Sequence, residues 1–351
     1  MHNLSTLEID LNIIRENYLH LKDITSSEVA AAVKANSYGA GATEVSLELL
    51  KSGCKSFFVA NLDEGINLRK HIKNADIFVL NGIFASEEAY FSEYNLIPVI
   101  NSYEQALNIQ NFCRAAIHID TGMNRLGMSK IDLKNFIDNR EKLRHINIEM
   151  VMSHLASSEE EDNEFNKIQL LNFTRDCKNI DSNIKKSLSN SAGIFLGNDY
   201  HFDMVRPGAA LYGLNLNERM SFKNPFFLKT KIIQVKGVSA GEFVGYNQIG
   251  ALKRDSIIGT IPLGYADGIF RSLSNKGYCF INNKKVNIVG RVSMDLINID
   301  LTDLSEEDRQ IGQEVEILGK NQTPSDLAAQ AGTIGYEVIT SIGSRYKRIY
   351  K

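Results

Sequence analysis

Eight short apolar runs recur through the first 220 residues, and their spacing is the feature that most restricts the fold. They cover 30–34, 56–60, 76–80, 96–100, 115–119, 148–152, 186–189 and 203–206. Between most of them lie segments with helical spacing, such as Ala42 to Lys51, with Val45, Leu49 and Leu50 on one face, and Leu62 to His71. Strands alternating with helices imply right-handed crossovers and a parallel sheet. The first five runs start at residues 30, 56, 76, 96 and 115. So tight a repeat, continued to eight units, predicts a closed (β/α)8 barrel of the TIM type rather than an open doubly wound sheet.

After Tyr212-Gly213 the pattern changes. Short β-type runs separated by turn residues occupy 228–235, 257–262, 278–281, 285–288, 296–300 and 314–318. The chain therefore divides into a barrel over 1–220 and a mainly β C-terminal domain over 221–351. Near its end, Thr323-Pro324 reads as a cap followed by a first-turn proline, opening a short helix.

Composition narrows the class of function. The 351 residues are 43% hydrophobic and 23% charged, which fits a globular protein with a sizeable core. With 39 Lys and Arg against 42 Asp and Glu, the net charge is −3, so no global positive field favours nucleic acid or an anionic membrane. Cys54, Cys113, Cys177 and Cys279 form no Cys-x-x-Cys pair, so neither a metal site nor a redox dithiol is indicated and the thiols read as reduced. The N-terminus has no basic stretch leading into an apolar run, and no run is long enough to span a bilayer, so the expected location is cytoplasmic.

Barrel enzymes place their chemistry at the C-terminal ends of the strands. Lys34 closes the first run, Ala-Ala-Ala-Val, where it fits either a lysine reaching to solvent or a partly buried amine with Schiff-base reactivity. His118 and Asp120 end the fifth run and Arg125 follows them; His154 ends the sixth. Each is also compatible with an ordinary hydrogen bond or ion pair. The seventh and eighth runs end in Ser189-Asn190-Ser191-Ala192-Gly193 and Arg206-Pro207-Gly208-Ala209. Small residues there free main-chain amides where such barrels bind phosphate. An inward amine, a phosphate cradle and an arginine on one rim describe a pyridoxal 5'-phosphate site. Arg206 could face the pyridine nitrogen and, holding its own proton, keep that nitrogen unprotonated.

Ala32-Val-Lys34-Ala-Asn-Ser-Tyr38-Gly-Ala-Gly41 strongly resembles the cofactor-lysine motif of alanine racemases, the fold-type III pyridoxal phosphate enzymes. Further segments match that family in order: Asp120 to Gly127, Ser153 to Ala156, Ser189 to Ala192, Arg206 to Gly213, Val244 to Tyr246, Gly264 to Gly268, Gly290 to Asp295, and Gly335 to Val338. The resemblance covers nearly the whole chain. It implies that Lys34 carries the cofactor and moves the substrate Cα proton on one face, with Tyr246 acting on the other. A phenol ordinarily titrates near 10, so this role asks for nearby cations, with Arg125, His154 and Arg206 as candidates. The resemblance further implies that Tyr38, Asn190, Ser191, Gly208 and Ser344 join His154 and Arg206 in holding the cofactor. Arg125, Tyr265, Met294 and Asp295 would line the substrate pocket.

Two positions depart from the family. His118 stands where many members carry a lysine, often carbamylated, that orients the arginine, and Ser344 stands where a tyrosine usually touches the phosphate. The implied activity is interconversion of L- and D-alanine supplying peptidoglycan synthesis. The implied assembly is a homodimer in which Tyr246, Tyr265 and Met294 act in trans. The alternatives are a racemase of broader specificity that accepts serine, or a fold-type III amino-acid decarboxylase.

Overall fold

The structure, a computed structural model, describes residues 4–111 and 113–351 and separates into two compact units. One comprises Ile14–Ser37 and Gly41–Lys223; the other comprises Met1–Ile13, Tyr38–Ala40 and Asn224–Lys351.

The first unit is built on a parallel sheet whose seven strands lie in chain order: Ala31–Ala32, Ser56–Val59, Asp76–Val79, Ile97–Ile100, Cys113–His118, Ile146–Met152 and Lys185–Ser187. An eighth strand, Met204–Val205, pairs in parallel with Glu28–Val29, just before the first. On its other side, Asp203 N–H donates to Lys186 O at 3.0 Å and Arg206 N–H to Ser189 O at 2.9 Å. These bonds close the ring, and the expected barrel of eight staves is present. Its strands read as apolar runs because both faces are covered: every residue of Ser56–Val59 and of Ile97–Ile100 is buried.

Helices follow the strands as the periodicity predicts. Leu62–His71 starts where Asn61 Oδ1 accepts Glu64 N–H at 3.0 Å, and Tyr103–Leu107 starts where Ser102 Oγ accepts Gln105 N–H at 3.1 Å. These caps sit just past strand ends, so the same residues that begin the helices fix the rim on which the chemistry is expected.

The second unit contains a nine-stranded sheet. Its order is Gln234–Val238, Ser256–Ile261, Ile297–Asp300, Lys284–Val289, Tyr278–Ile281, Glu314–Leu318, Phe226–Lys231, Thr6–Ile9 and Lys347–Tyr350. The division at residue 220 places residues 6–9 with the barrel. Here Leu7 pairs opposite Leu228 in an antiparallel ladder, and both Leu7 and Ile9 are fully buried. The expected helix runs over Pro324–Ala331: Thr323 Oγ accepts Asp326 N–H at 3.2 Å, and the Asp326 carboxylate accepts Thr323 N–H at 2.8 Å. All four cysteines are unbridged.

Candidate active site

The barrel rim gathers several of the expected residues. Lys34 follows Val33, which is 1% exposed, and is itself half-buried. Burial and the nearby Arg125 guanidinium hold its amine below the ordinary lysine range, against an opposing pull from the Glu64 carboxylate. A larger fraction of neutral, nucleophilic amine is the chemical consequence.

The segment behind this lysine is unusual. Ala35, Asn36, Ser37 and Tyr38 all have φ between 51° and 53°, one turn of left-handed helix without a glycine. Each such residue costs roughly 1–2 kcal/mol. Local bonds offset part of that cost: Ser37 N–H donates to Val33 O at 2.8 Å, Gly41 N–H to Asn36 O at 2.9 Å, and Ala42 N–H to Asn36 Oδ1 at 2.8 Å. Backbone strain of this kind is concentrated at functional sites.

Arg206 is 6% exposed and firmly anchored. One guanidinium nitrogen donates to Ser187 Oγ and the other to Ser153 O at 2.5 Å. Burial draws its pKa down to about 9, which leaves it protonated at neutral pH. Burial also pushes His154 well below the imidazole range, reinforced by Arg206, Arg125, Lys34 and His118 in that order. His154 is thus a neutral ring among cations. His118, at the end of Cys113–His118, is likewise neutral, lowered to about 4 by burial and Arg206.

The loops after the last two strands are joined by Ser191, 3% exposed. Its Oγ accepts Gly208 N–H at 2.9 Å and Ala210 N–H at 3.2 Å, which leaves the hydroxyl hydrogen to donate. Asn190 ties its own loop together: Oδ1 accepts Gly193 N–H at 2.9 Å and the Ser158 hydroxyl at 2.8 Å. Arg125 is exposed on the turn after Asp120, whose carboxylate accepts Gly122 N–H and Asn124 N–H. Gly127 closes that turn at φ 108°, where a Cβ would lie 2.8 Å from Asp120 N.

The remaining expected residues belong to the second unit. Tyr38 is buried there with its ring 6.1 Å from that of Tyr336. Tyr265 and Met294 lie on adjoining loops, joined where Tyr265 N–H donates to Ser293 O at 3.0 Å and Ala266 N–H to Met294 O at 3.1 Å. Asp295 pairs with Arg345 at 2.8 Å, and Arg345 also reaches the buried Asp267 at 3.3 Å. Ser344 is exposed beside this cluster in sequence. Tyr246, Tyr265 and Met294 are 67%, 45% and 53% exposed, high values for side chains of this size.

Sequence reasoning missed two residues that shape the rim, Glu64 and Asn101. Glu64 accepts Ala35 N–H and Ala60 N–H, both at 2.7 Å. Asn101 holds the His118 ring at 2.8 Å. The helical spacing of Leu62 to His71 places Glu64 on a helix but gives no sign of a contact with residue 35.

Comparison with known proteins agrees over the whole length. The family description "Alanine racemase, N-terminal domain" matches residues 9–216, and "Alanine racemase, C-terminal domain" matches residues 226–350. A curated relative, the alanine racemase of Rickettsia akari (strain Hartford), is 49% identical over 357 residues, covering 99% of both chains. That of Rickettsia canadensis (strain McKiel) is also 49% identical with the same coverage. Among solved structures, alanine racemase from Bartonella henselae with covalently bound pyridoxal phosphate superposes with a TM-score of 0.94 at 36% identity, covering 99% of this chain and 100% of that one. The biosynthetic alanine racemase from Pseudomonas aeruginosa gives a TM-score of 0.92 at 30% identity, with 99% of each chain covered.

Proposed function

This chain belongs to the alanine racemase family, and from that membership we propose how its own residues carry the reaction. It is a pyridoxal 5'-phosphate-dependent racemase that interconverts L- and D-alanine. The observation that carries the assignment of roles is the partly buried Lys34 amine, held below its ordinary range on a rim that also presents Arg206, His154 and the Ser191 hydroxyl.

Those groups fit the cofactor. Lys34 supplies the amine that bonds its aldehyde, and the Ser191 hydroxyl with the amides around Gly208 suits its phosphate. Tyr38, Asn190 and Ser344 complete that side. His154, neutral, would pack against the cofactor ring, and the anchored Arg206 would face the ring nitrogen and, holding its own proton, keep that nitrogen unprotonated. When bound, the cofactor supplies an electron sink that absorbs the charge left at Cα.

The protein's part is proton transfer and orientation. Lys34 exchanges the Cα proton on one face, and Tyr246 does so on the other. Arg125, Tyr265, Met294 and Asp295 hold the amino acid, with the arginine facing the carboxylate. We infer a homodimer in which the C-terminal residues Asn224–Lys351 complete the mouth of the partner's barrel. The exposure of Tyr246, Tyr265 and Met294 supports a covering partner. No described helix is long and apolar enough to cross a membrane. The unbridged thiols suit a reducing compartment, and we place the enzyme in the cytoplasm, supplying D-alanine for peptidoglycan.

Incubating the cofactor-loaded protein with L-alanine, L-serine or L-lysine and resolving the enantiomers tests the assignment. Alanine is expected to reach equal amounts of both enantiomers. Release of carbon dioxide, or racemisation of serine or lysine ahead of alanine, would contradict it.

A further inference from the structure

The left-handed turn behind Lys34 needs an anchor on its first residue. Ala35 to Tyr38 contain no glycine, yet all four adopt positive φ. The far side of the turn is bonded through Asn36, whose carbonyl and side-chain oxygens accept Gly41 N–H and Ala42 N–H. The near side is bonded by a carboxylate from another element. Ala35 N–H donates to Glu64 Oε1 at 2.7 Å, and Ala60 N–H donates to Glu64 Oε2 at 2.7 Å. Ala60 directly follows the strand Ser56–Val59, whose Phe57 and Phe58 pair with Ala31 and Ala32. One carboxylate therefore fastens two neighbouring strand ends with two short, charge-assisted bonds.

Local sequence places that carboxylate. Glu64 sits in the first turn of Leu62–His71, where its own N–H is held by Asn61 and the helix N-terminus favours a negative charge. Gly65 lets the helix start lie close to the barrel: a Cβ there would stand 3.1 Å from Leu96 Cδ1 and 3.3 Å from Val79 Cγ2.

A glutamate that only served its own helix would have no reason to reach residue 35. We propose that Glu64 is a positioning residue for the Lys34 amine, clamping the first amide of the left-handed turn to the adjoining strand end and so fixing the direction in which Lys34 leaves the barrel wall. The proposal rests on the reading that Lys34 carries the cofactor.

Glu64→Gln leaves one oxygen able to accept and sets an N–H2 against the other amide, so the clamp is broken while side-chain size is kept. Glu64→Asp keeps the charge but is too short to bridge both amides, and it serves as the milder variant if the glutamine form does not fold. In the cofactor-loaded, full-length protein, deuterium exchange over residues 31–41 is expected to rise about tenfold in the variants, while exchange over residues 224–351 stays at the wild-type rate. The kcat for alanine is expected to fall about tenfold with KM nearly unchanged, as misdirection of a reacting group would give. Wild-type exchange over 31–41, or faster exchange with unaltered kcat, overturns the proposal. Borohydride reduction and peptide mapping separate it from its premise. Cofactor found on another lysine removes the premise and the clamp together, whereas cofactor on Lys34 with unchanged exchange overturns the clamp alone.

Discussion

His118 Nδ1 lies 2.8 Å from Asn101 Oδ1, and Asn101 directs its amide nitrogen to Leu80 O and Val99 O at 2.9 Å each. Because the asparagine oxygen can only accept, His118 must carry its proton on Nδ1, which leaves Nε2 as a neutral acceptor on the rim. At this rim position the chain thus presents a neutral lone pair and no charge.

Stability should register that neutrality. The folded pKa of His118 is about 4 against the ordinary 6.5, because burial and Arg206 disfavour the charged ring. A depressed folded pKa contributes its full stability above 6.5 and loses it as pH falls towards 4, since the unfolded chain takes up the proton first. The loss across that window is up to about 3 kcal/mol. Urea unfolding of wild type and His118→Gln between pH 7 and pH 4.5 measures it. The wild type should weaken more steeply than the variant, and parallel profiles would contradict a buried neutral ring.

Arg206 is bonded to Ser187 Oγ and Ser153 O in a buried position. Arg206→Gln removes these bonds and should cost roughly 2–4 kcal/mol of stability. It should also raise, about tenfold or more per racemisation event, the side reaction in which the alanine amino group and an electron pair would pass to the cofactor and pyruvate would be released, because the ring nitrogen could then be protonated. A coupled lactate dehydrogenase assay measures the pyruvate. An unchanged side reaction would place Arg206 away from that nitrogen.

If Tyr246 serves the neighbouring barrel, two inactive chains can rescue each other. Lys34→Ala and Tyr246→Phe chains, unfolded together and reassembled, should form hybrids with one intact site and one doubly altered site. About a quarter of wild-type activity is expected from equal mixing. No recovery, with dimers formed, would mean that Lys34 and Tyr246 act within one chain.

Much of the barrel is legible in the sequence because strands buried on both faces read as unbroken apolar runs, as Ser56–Val59 and Ile97–Ile100 do. Their last residues then expose Lys34, His154 and Arg206 as rim groups. The strand Thr6–Ile9 is not legible, since four alternating residues gain meaning only from partners such as Leu228, far along the chain. The left-handed turn is hidden for a different reason: Ala35-Asn-Ser-Tyr38 contains no glycine to announce positive φ. Glu64 and Asn101 act across space, on Ala35 and His118, and local spacing carries no trace of either bond.

Two acid–base groups on opposite faces of one carbon make a prediction that a single exchange experiment resolves. In heavy water, Tyr246→Phe should still wash deuterium into the α position of one alanine enantiomer through Lys34, while exchange from the other enantiomer and net racemisation are lost and the cofactor stays bound. Equal loss of exchange from both enantiomers, or racemisation at the wild-type rate, would contradict the assignment of Lys34 and Tyr246 as the opposed pair.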